Sequence, residues 1–325
     1  MQNEELKNQI NKWALEQLTS LGCSVTDNDV EKILDTPWSY LARYKTSIGF
    51  IYLKATPKLF FLEPAIIQLL SDKFNASVPV ILVDCPELNC FLMQDAGHNL
   101  RKLLKDNFDE NLMLRTIEQF TDLQIAAQDK IDIFFDIGVP DYRLEKLPAL
   151  YARFVKQRDL LASEGLSDSE IDKLEELSDT VVKICNKLSG YNIKHTIVQP
   201  DFNDNNTLVD DGRQKITIID LGEIIISHPF FSPLNFLQQI AKHHGLIEEN
   251  ALYQRLKDAC FNKYRGYFTN GNDFNDALAI AKIASEILGI VYQDRFMKAC
   301  SKENLKQYDH WKLASLLRKF LSEFG

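Results

Sequence analysis

The chain has 325 residues, which is long for one compact domain and favours two domains or lobes. Hydrophobic residues make up 45% of it, which is enough to form a substantial core. The formal net charge of −9 argues against a nucleic-acid-binding protein, because contacts to phosphates need clustered lysines and arginines. The six cysteines are scattered without a C-x-x-C pair, which is typical of reduced thiols in a cytosolic protein.

The N-terminal segment and the hydropathy of the chain indicate a soluble, cytoplasmic protein. Residues 1–18 carry acidic and amide side chains where a signal peptide would have an apolar run. No stretch approaches the ~20 consecutive apolar residues that a membrane span requires. We therefore expect no association with a membrane.

The first hundred residues contain a helical pattern followed by a β-rich region. Apolar residues recur at helical spacing from Glu4 to Leu21, and Gly22 follows as a stop signal. Runs of aromatic and aliphatic residues then predict strands, and a second helical pattern begins near Glu63. The predicted strands are 40–44, 50–53, 78–83 and 90–93, with a hairpin turn at 45–49.

Downstream of about Leu100, long helical patterns dominate and one β-rich segment, Thr196 to Ile226, interrupts them. The helical patterns cover 111–128, 148–162, 167–188 and the chain from 233 onward. This arrangement predicts an α+β fold with a small β-rich lobe over residues 1–95. The predicted second lobe, over residues 96–325, is large and mainly helical, with an embedded β-hairpin.

The β-rich segment contains acidic and amide residues in a pattern typical of phosphoryl transfer. Asp201 is followed five residues later by Asn206, and after a turn an apolar strand ends in Asp220-Leu-Gly222. Phosphoryl transfer to a hydroxyl needs a carboxylate near the acceptor and oxygen ligands for Mg²⁺. Asp201 is therefore the predicted catalytic residue, and Asn206 and Asp220 are the predicted metal ligands. The D-x-x-x-x-N spacing alone is common in turns, so the prediction depends on its combination with the hairpin and strand.

A lysine and a glutamate in the N-terminal region complete this pattern. Lys54 ends an apolar strand, where a buried cation needs an anionic partner. Glu63 begins the next helix, directly before Pro64, which is tolerated at that position. Kinases place such a lysine on the phosphates of ATP and hold it with such a glutamate. Alternatively, Lys54 caps an edge strand and Glu63 interacts with the helix dipole.

These motifs together resemble those of the aminoglycoside phosphotransferase and choline kinase family. In that family the loop usually reads H-G-D-x-x-x-x-N and the metal strand I-D-[WFL]-G. The corresponding residues here are 199–206, which keep the aspartate and the asparagine, and 219–222, which match the strand pattern. The resemblance runs from roughly Pro37 to Leu237, and Gly138–Pro148 and Ser227–Phe231 are similar to strings in uncharacterised bacterial members.

The resemblance implies a bilobal, protein-kinase-like fold with the nucleotide in the cleft between the lobes. The lobe over residues 1–95 would bind the nucleotide, and the lobe over residues 96–325 would carry the catalytic hairpin and bind the acceptor. ATP and Mg²⁺ are the implied cofactors, and the implied partner is a small molecule that offers a hydroxyl group. The motifs are compatible with either ATP or GTP as the phosphate donor.

Two positions depart from the family pattern. Gln199 replaces the histidine and Pro200 replaces the glycine that precede the catalytic aspartate. The histidine normally braces the loop through hydrogen bonds, and glutamine can also donate and accept them. The chain also lacks a glycine-rich phosphate loop. A second hypothesis therefore remains, a catalytically weak or inactive nucleotide-binding regulatory module on the same fold.

Protein kinase or nucleotidyl transferase activity has no specific support, since no activation-segment signature or A-P-E string occurs.

Further contacts to the nucleotide are predicted from position in the chain. The turn 35–39 stands where a phosphate loop is expected, and its hydroxyls, including that of Ser39, are predicted to contact phosphate. The segment 92–95 is the predicted hinge, where Met93 and backbone groups near Gln94 meet the adenine. Turn chemistry and core packing explain the same residues equally well.

Two further carboxylates are predicted to face the acceptor. Asp204 lies within the catalytic loop, and Glu223 follows Asp220 by three residues. Extra negative charge near Asp201 would favour a cationic acceptor, such as an amino sugar or an amino alcohol. The alternative is that both are solvated acids on a polar loop.

Overall fold

The structure is a computed structural model that describes residues 4–25, 30–308 and 313–324. It combines antiparallel sheets with many helices, so the predicted α+β class is confirmed. The chain divides into two compact units, each built from several segments. The first unit comprises Met1–Leu112, Asp204–Glu223 and Phe296–Gln307, and the second comprises Met113–Asn203, Ile224–Arg295 and Tyr308–Gly325. The domain boundary after residue 95 stays a prediction.

A five-stranded antiparallel sheet forms the centre of the first unit. Its strands are β1 (Glu31–Asp35), β2 (Tyr40–Thr46), β3 (Gly49–Ala55), β4 (Ile81–Cys85) and β5 (Cys90–Gln94), in the spatial order β1-β2-β3-β5-β4. The strand predicted at 78–83 begins later, at Ile81. Pro79 explains the delay, because proline has no N–H to donate to a neighbouring strand.

Alternation along the strands gives this sheet two different faces. One face is apolar and forms a single buried cluster with α1 (Glu4–Ser20). The cluster contains Ile10, Ala14 and Leu18 of α1 with Tyr40, Ala42, Tyr44, Ile51, Leu53, Ala55, Cys90 and Leu92 of the sheet. The register pairs Lys54 with Leu41 on β2 and with Phe91 on β5. Lys54 alternates with Leu53 and Ala55, so it belongs to the face opposite α1.

The first unit also holds a three-stranded antiparallel sheet. Its strands are β6 (His98–Asn99), β8 (Thr207–Val209) and β9 (Ile216–Ile218), in the order β6-β8-β9, and its helices besides α1 are α2 (Glu63–Phe74), α3 (Leu100–Asp106) and α13 (Lys302–Leu305). The hairpin predicted after Asn206 is formed by β8 and β9. Gly97 precedes β6 with φ +113°, and a Cβ there would overlap the backbone of Val209, so only glycine fits.

The second unit is mainly helical. Its helices, wholly or for the most part, are α4 (Glu110–Ala127), α5 (Asp132–Asp136), α6 (Leu147–Val155), α7 (Arg158–Ser163), α8 (Asp168–Glu176), α9 (Ser178–Ser189), α10 (Phe231–His244), α11 (Ala251–Phe261), α12 (Gly271–Cys300) and α14 (Leu313–Ser322). A short antiparallel pair, β7 (Thr196–Val198) and β10 (Ile225–Ser227), lies among them. The pattern at 148–162 forms two helices, because Gln157 leaves the helical conformation with ψ 59°. Across the described ranges, no helix is long and apolar enough to span a bilayer.

Candidate active site

Lys54 contacts two carboxylates that come from distant parts of the chain. Its Nζ donates a hydrogen bond of 2.6 Å to Oδ1 of Asp220 and lies 2.6 Å from Oε2 of Glu63. The Lys54 and Glu63 side chains are 9% and 2% exposed, whereas that of Asp220 is 40% exposed. A buried ammonium group is stable only with anionic partners, and here it has two. The predicted pairing of Lys54 with Glu63 is therefore present, and Asp220 joins it.

The two carboxylates determine the charge state of the lysine. Burial by itself lowers the pKa of Lys54, because it penalises the charged form. The negative charges and hydrogen bonds of Asp220 and Glu63 outweigh burial, so the pKa of Lys54 is raised above its ordinary value. Lys54 is therefore a permanent cation on the sheet face opposite α1.

The backbone after Asp220 packs tightly against the start of α2. Glu63, the first residue of α2, accepts a hydrogen bond of 3.1 Å from the N–H of Leu221 through Oε1. A Cβ on Gly222 would lie 2.7 Å from the carbonyl oxygen of Phe60 and 3.3 Å from Cβ of Glu63. The glycine of the D-L-G string is required by this close approach, because any larger residue would push the Leu221–Glu223 turn away from α2.

Asn206 and Asp220 lie at the open end of the β8–β9 hairpin. The register pairs Thr207 with Ile218, and the N–H of Ile219 donates to the carbonyl oxygen of Asn206 at 3.0 Å. Asp220 then adopts the left-handed conformation, with φ 62°, which ends the strand. The hairpin therefore brings the two predicted metal ligands to the same end, although 14 residues separate them in the sequence.

The chemistry of this pair fits a magnesium ion. Mg²⁺ prefers oxygen donors and usually takes one or two carboxylates from the protein, with substrate phosphates and water completing its shell. Asp220 offers a carboxylate and Asn206 an amide oxygen. Among the residues that the structure describes, no cluster of three or more His, Cys, Asp or Glu side chains has the arrangement of a metal site.

The loop that carries Asp201 belongs to the second unit and is braced from α10. The N–H of Gln199 donates to Oγ of Ser232 at 2.9 Å, and Ser232 Oγ donates to the carbonyl oxygen of Gln199 at 3.0 Å. Nδ2 of Asn203 donates to Oδ1 of Asp201 at 2.9 Å and to its carbonyl oxygen at 2.7 Å. Asp201 is exposed, while Gln199 is fully buried. The carboxylate is therefore accessible and held in orientation by its own loop.

Aromatic stacking fixes the other side of this loop. The ring of Phe202 stacks on Phe120 of α4 at 4.0 Å and on Phe236 of α10 at 5.2 Å between centroids. Phe202 is fully buried, and Nδ2 of Asn235 donates to its carbonyl oxygen at 3.2 Å. Burying the neighbour of Asp201 in this way leaves the aspartate little freedom to turn inward.

Asp204 does not have the environment predicted for an acceptor-binding residue. Its side chain is fully buried, and Nε and Nη2 of Arg101 donate to its Oδ1 at 2.9 and 2.7 Å. A carboxylate enclosed in this way joins α3 to the start of the hairpin instead of facing a ligand. Glu223, the other predicted acceptor residue, is partly exposed at the end of the Leu221–Glu223 turn.

The predicted phosphate turn and hinge have specific backbone roles. In the turn, Oγ1 of Thr36 accepts from the N–H of Ser39 and donates to its carbonyl oxygen, both at 3.1 Å, so this hydroxyl closes the turn. Ser39 is buried. Met93 is partly buried in β5, and the N–H of Gln94 donates to the carbonyl oxygen of Val80 at 3.0 Å. The next N–H, that of Asp95, donates to the carbonyl oxygen of Phe50 at 3.3 Å, so both N–H groups of the predicted hinge already have acceptors within the protein.

The residues that sequence reasoning missed are structural partners of the predicted ones. Arg101 and Ser232 gave no signal, because each meets its partner across more than thirty residues of sequence. Asn203 could have been noticed, since it lies within the loop and asparagine side chains commonly hydrogen-bond to nearby backbone groups in turns.

By sequence, no protein-family model and no curated protein matches the chain. By fold, it is similar to solved structures of small-molecule phosphotransferases. One is APH(2″)-IIa in a ternary complex with streptomycin and ATP, at 12% identity over 99% of this chain and 97% of that chain, with a TM-score of 0.61. An ethanolamine kinase from Plasmodium vivax has 11% identity over 99% and 90% of the chains, with a TM-score of 0.63. A choline kinase from Streptococcus pneumoniae has 13% identity over 97% and 99%, with a TM-score of 0.60.

The fold of this chain is therefore the one shared by aminoglycoside phosphotransferases and by choline and ethanolamine kinases. The resemblance predicted from the loop and strand motifs is confirmed at the level of the fold.

Proposed function

We propose that this protein is an ATP- and Mg²⁺-dependent phosphotransferase that moves the γ-phosphate to a hydroxyl group of a small molecule. The observation that carries the proposal is the contact of Lys54 with both Glu63 and Asp220 at 2.6 Å. These residues come from β3, from α2 and from the segment after β9, and phosphoryl-transfer enzymes need such a lysine, its glutamate and a metal-binding aspartate together. The fold shared with small-molecule kinases supports the same reaction class.

Each residue has a defined part in this proposal. Lys54 binds the phosphates of the nucleotide, and Glu63 keeps its ammonium group in place. Asn206 and Asp220 hold Mg²⁺, which neutralises negative charge that develops on the transferred phosphoryl group. Asp201 orients the acceptor hydroxyl and accepts its proton. Positioning and charge stabilisation supply most of the rate enhancement in this class of reaction.

The acceptor that we propose is an amino alcohol or an amino sugar. The support is chemical likeness among the structures with the same fold, which include a choline kinase, an ethanolamine kinase and a complex with streptomycin. Choline, ethanolamine and streptomycin all combine hydroxyl groups with cationic nitrogen. A cationic acceptor also suits the exposed carboxylate of Asp201.

The test is a turnover screen with Mg²⁺ and either ATP or GTP across amino alcohols, amino sugars, sugars and nucleosides. We expect acceptor-dependent release of nucleoside diphosphate with one compound class. Asp201→Ala should reduce this turnover by at least about 100-fold, the usual contribution of a positioned general base, and leave the nucleotide dissociation constant within about threefold.

Asp211→Ala is the matched control, because Asp211 lies ten residues further along the chain and its side chain is 95% exposed. It should behave like the wild-type protein. Nucleotide binding without turnover on any acceptor would instead favour the non-catalytic regulatory module, and Gln199→His would then test whether the departure from the family motif is the cause.

A further inference from the structure

Two of the six cysteines face each other across a hairpin in the first unit. The register of β4 and β5 pairs Cys85 directly with Cys90. The turn between them is tight, with Leu88 N–H donating to the carbonyl oxygen of Cys85 at 3.2 Å and Asn89 N–H to that of Pro86 at 3.3 Å. The pairing is therefore set by the fold of the hairpin and not by chance proximity.

The positions of the two thiols suit a disulfide bond. Directly opposed residues of antiparallel strands have Cα atoms about 4.5–5.5 Å apart, which lies within the range of about 4.4–6.8 Å found in disulfides. Both side chains point to the same face of the sheet, where Cys90 is part of the apolar cluster with α1 and Cys85 packs against it. Bond formation thus needs no change of strand register.

The two cysteines differ in access to solvent. Cys85 is partly exposed and its thiol donates to the carboxylate of Glu87 at 3.5 Å, whereas Cys90 is fully buried. Burial raises the pKa of the Cys90 thiol, and the neighbouring Cys85 raises it further. Cys85 is therefore the thiol that a disulfide in solution can reach, and Cys90 is the buried partner that would resolve the mixed disulfide.

We propose that Cys85 and Cys90 form a reversible cross-strand disulfide through exchange with a low-molecular-weight disulfide. The Cys85 thiolate attacks one sulfur of that disulfide, forms a mixed disulfide and releases one thiolate. The Cys90 thiolate then attacks the sulfur of Cys85, forms the internal bond and expels the second thiolate. The two cysteine protons end on the two released thiols. Two protein thiols are oxidised and one external disulfide is reduced, so atoms and electrons balance.

The bond would form beside the strand that carries Lys54. Cys90 lies opposite Ala55 on β3, and the next pair in the register is Phe91 with Lys54. A disulfide at this position fixes the turn between β4 and β5 from the α1 side of the sheet, without touching the face that carries Lys54. The inference rests on the hairpin alone and is independent of the proposed phosphotransferase activity.

The test uses the full chain equilibrated in buffers with graded ratios of glutathione to glutathione disulfide. Free thiols are then blocked, and the protein is analysed by intact mass and peptide mapping. We expect a species that has lost two hydrogens and carries no glutathione. Cleavage after Glu87, which lies between the two cysteines, should give two peptides that stay linked until dithiothreitol is added.

Substitution of each cysteine separates the possible outcomes. Cys85→Ser is the primary variant, since the position is partly exposed, and it should abolish the linked peptides, as should Cys90→Ala. Cys185→Ser, which removes a buried cysteine of α9, should leave them unchanged. Stable glutathione on Cys85 without linked peptides would overturn the proposal. So would a bond to Cys23, which lies in the same apolar cluster.

Discussion

The ion pair between Lys54 and Glu63 is buried, so removing one partner should cost far more than removing an exposed pair. Lys54→Met leaves the Glu63 carboxylate enclosed without its cation, and we expect a loss of about 3–5 kcal/mol in the free energy of unfolding. Adding Glu63→Gln to this variant should recover most of the loss, because no buried charge then remains. Urea unfolding followed by circular dichroism measures both changes.

A surface pair provides the control for this double-mutant comparison. Lys194 and Asp129 lie 2.7 Å apart, but their side chains are 55% and 77% exposed. Lys194→Met should therefore change the free energy of unfolding by no more than about 1 kcal/mol. If Lys54→Met were no more destabilising than Lys194→Met, the buried pair would not hold the site together as inferred.

His228 makes the stability of the protein depend on pH. It is fully buried, and its Nδ1 accepts a hydrogen bond of 3.3 Å from the N–H of Phe230. Burial, with a smaller contribution from His195, lowers the pKa of His228 to about 3. In the unfolded chain the pKa is about 6.5, so between these values the unfolded state binds a proton that the native state does not. The free energy of unfolding therefore decreases as the pH falls through this window.

The contribution of His228 can be measured by substitution. From this residue alone we expect a loss approaching 1.4 kcal/mol per pH unit below about pH 6, as linkage requires. His228→Gln cannot be protonated and should flatten the pH dependence in urea unfolding at about pH 7, 5.5 and 4.5. His98→Gln, at a position 62% exposed, serves as the control and should keep the wild-type slope. Equal slopes in the wild-type protein and His228→Gln would contradict the prediction.

Replacing glycine by alanine should have opposite effects on stability at two positions of the protein. Gly222→Ala places a methyl group 2.7 Å from the carbonyl oxygen of Phe60, so the Leu221–Glu223 turn must move from α2, at a cost of about 1–3 kcal/mol. Gly289 lies inside α12, where an added Cβ meets nothing within 4 Å. Gly289→Ala should therefore stabilise that helix by about 0.5–1 kcal/mol, since alanine loses less backbone entropy.

Thermal unfolding of the two variants, measured beside the wild-type protein, distinguishes these effects. The midpoint should fall for Gly222→Ala and rise for Gly289→Ala. A neutral Gly222→Ala would mean that the turn has room to move and that the contact with α2 does not position Asp220. Because Asp220 directly precedes this turn, Gly222→Ala should also weaken the proposed Mg²⁺-dependent nucleotide binding, which Gly289→Ala should leave unchanged.

The elements that could be predicted from the sequence are those whose signal is local. The strands on either side of the 45–49 turn follow from their aromatic and aliphatic runs, and α2 begins at Glu63 where Pro64 permits it. The pairing of Lys54 with Glu63 was also predictable, because a buried lysine at the end of a strand needs an anionic partner, whereas the contact of Lys54 with Asp220 is seen only in the structure.

Pairings between distant residues could not be predicted in this way. Asp204 was expected to face an acceptor, but Arg101, on a different helix, encloses it, and a single sequence contains no signal for that pairing. The break at Gln157 was equally hidden, since the apolar pattern continues through it. The opposition of Cys85 and Cys90 depends on the exact register of β4 and β5, and a shift of one residue would place the cysteines on opposite faces.

The first compact unit as a whole depends on segments far apart in the chain. Residues Met1–Leu112 pack with Asp204–Glu223 and Phe296–Gln307, and the ring of Phe296 contacts Trp38 at 6.1 Å and Phe60 at 5.1 Å between centroids. A fragment of residues 1–112 would lack these partners and Asp220, the partner of Lys54. We therefore expect the fragment to show no cooperative thermal transition by circular dichroism, whereas the full chain should show one. A sharp transition in the fragment would contradict this.

Because the first unit is built from three distant segments, the order of synthesis limits when it can fold. The first 112 residues leave the ribosome well before residues 296–307, and a further 195 residues must be added before the unit is complete. At typical rates of synthesis, about 5–20 residues per second, this delay is roughly 10–40 s. During part of that time the rings of Trp38 and Phe60 lack their contact with Phe296. Lys54 likewise lacks Asp220 until the hairpin has been made. Folding of the first unit can therefore be completed only late in synthesis, after the segment that contains Phe296 has been added.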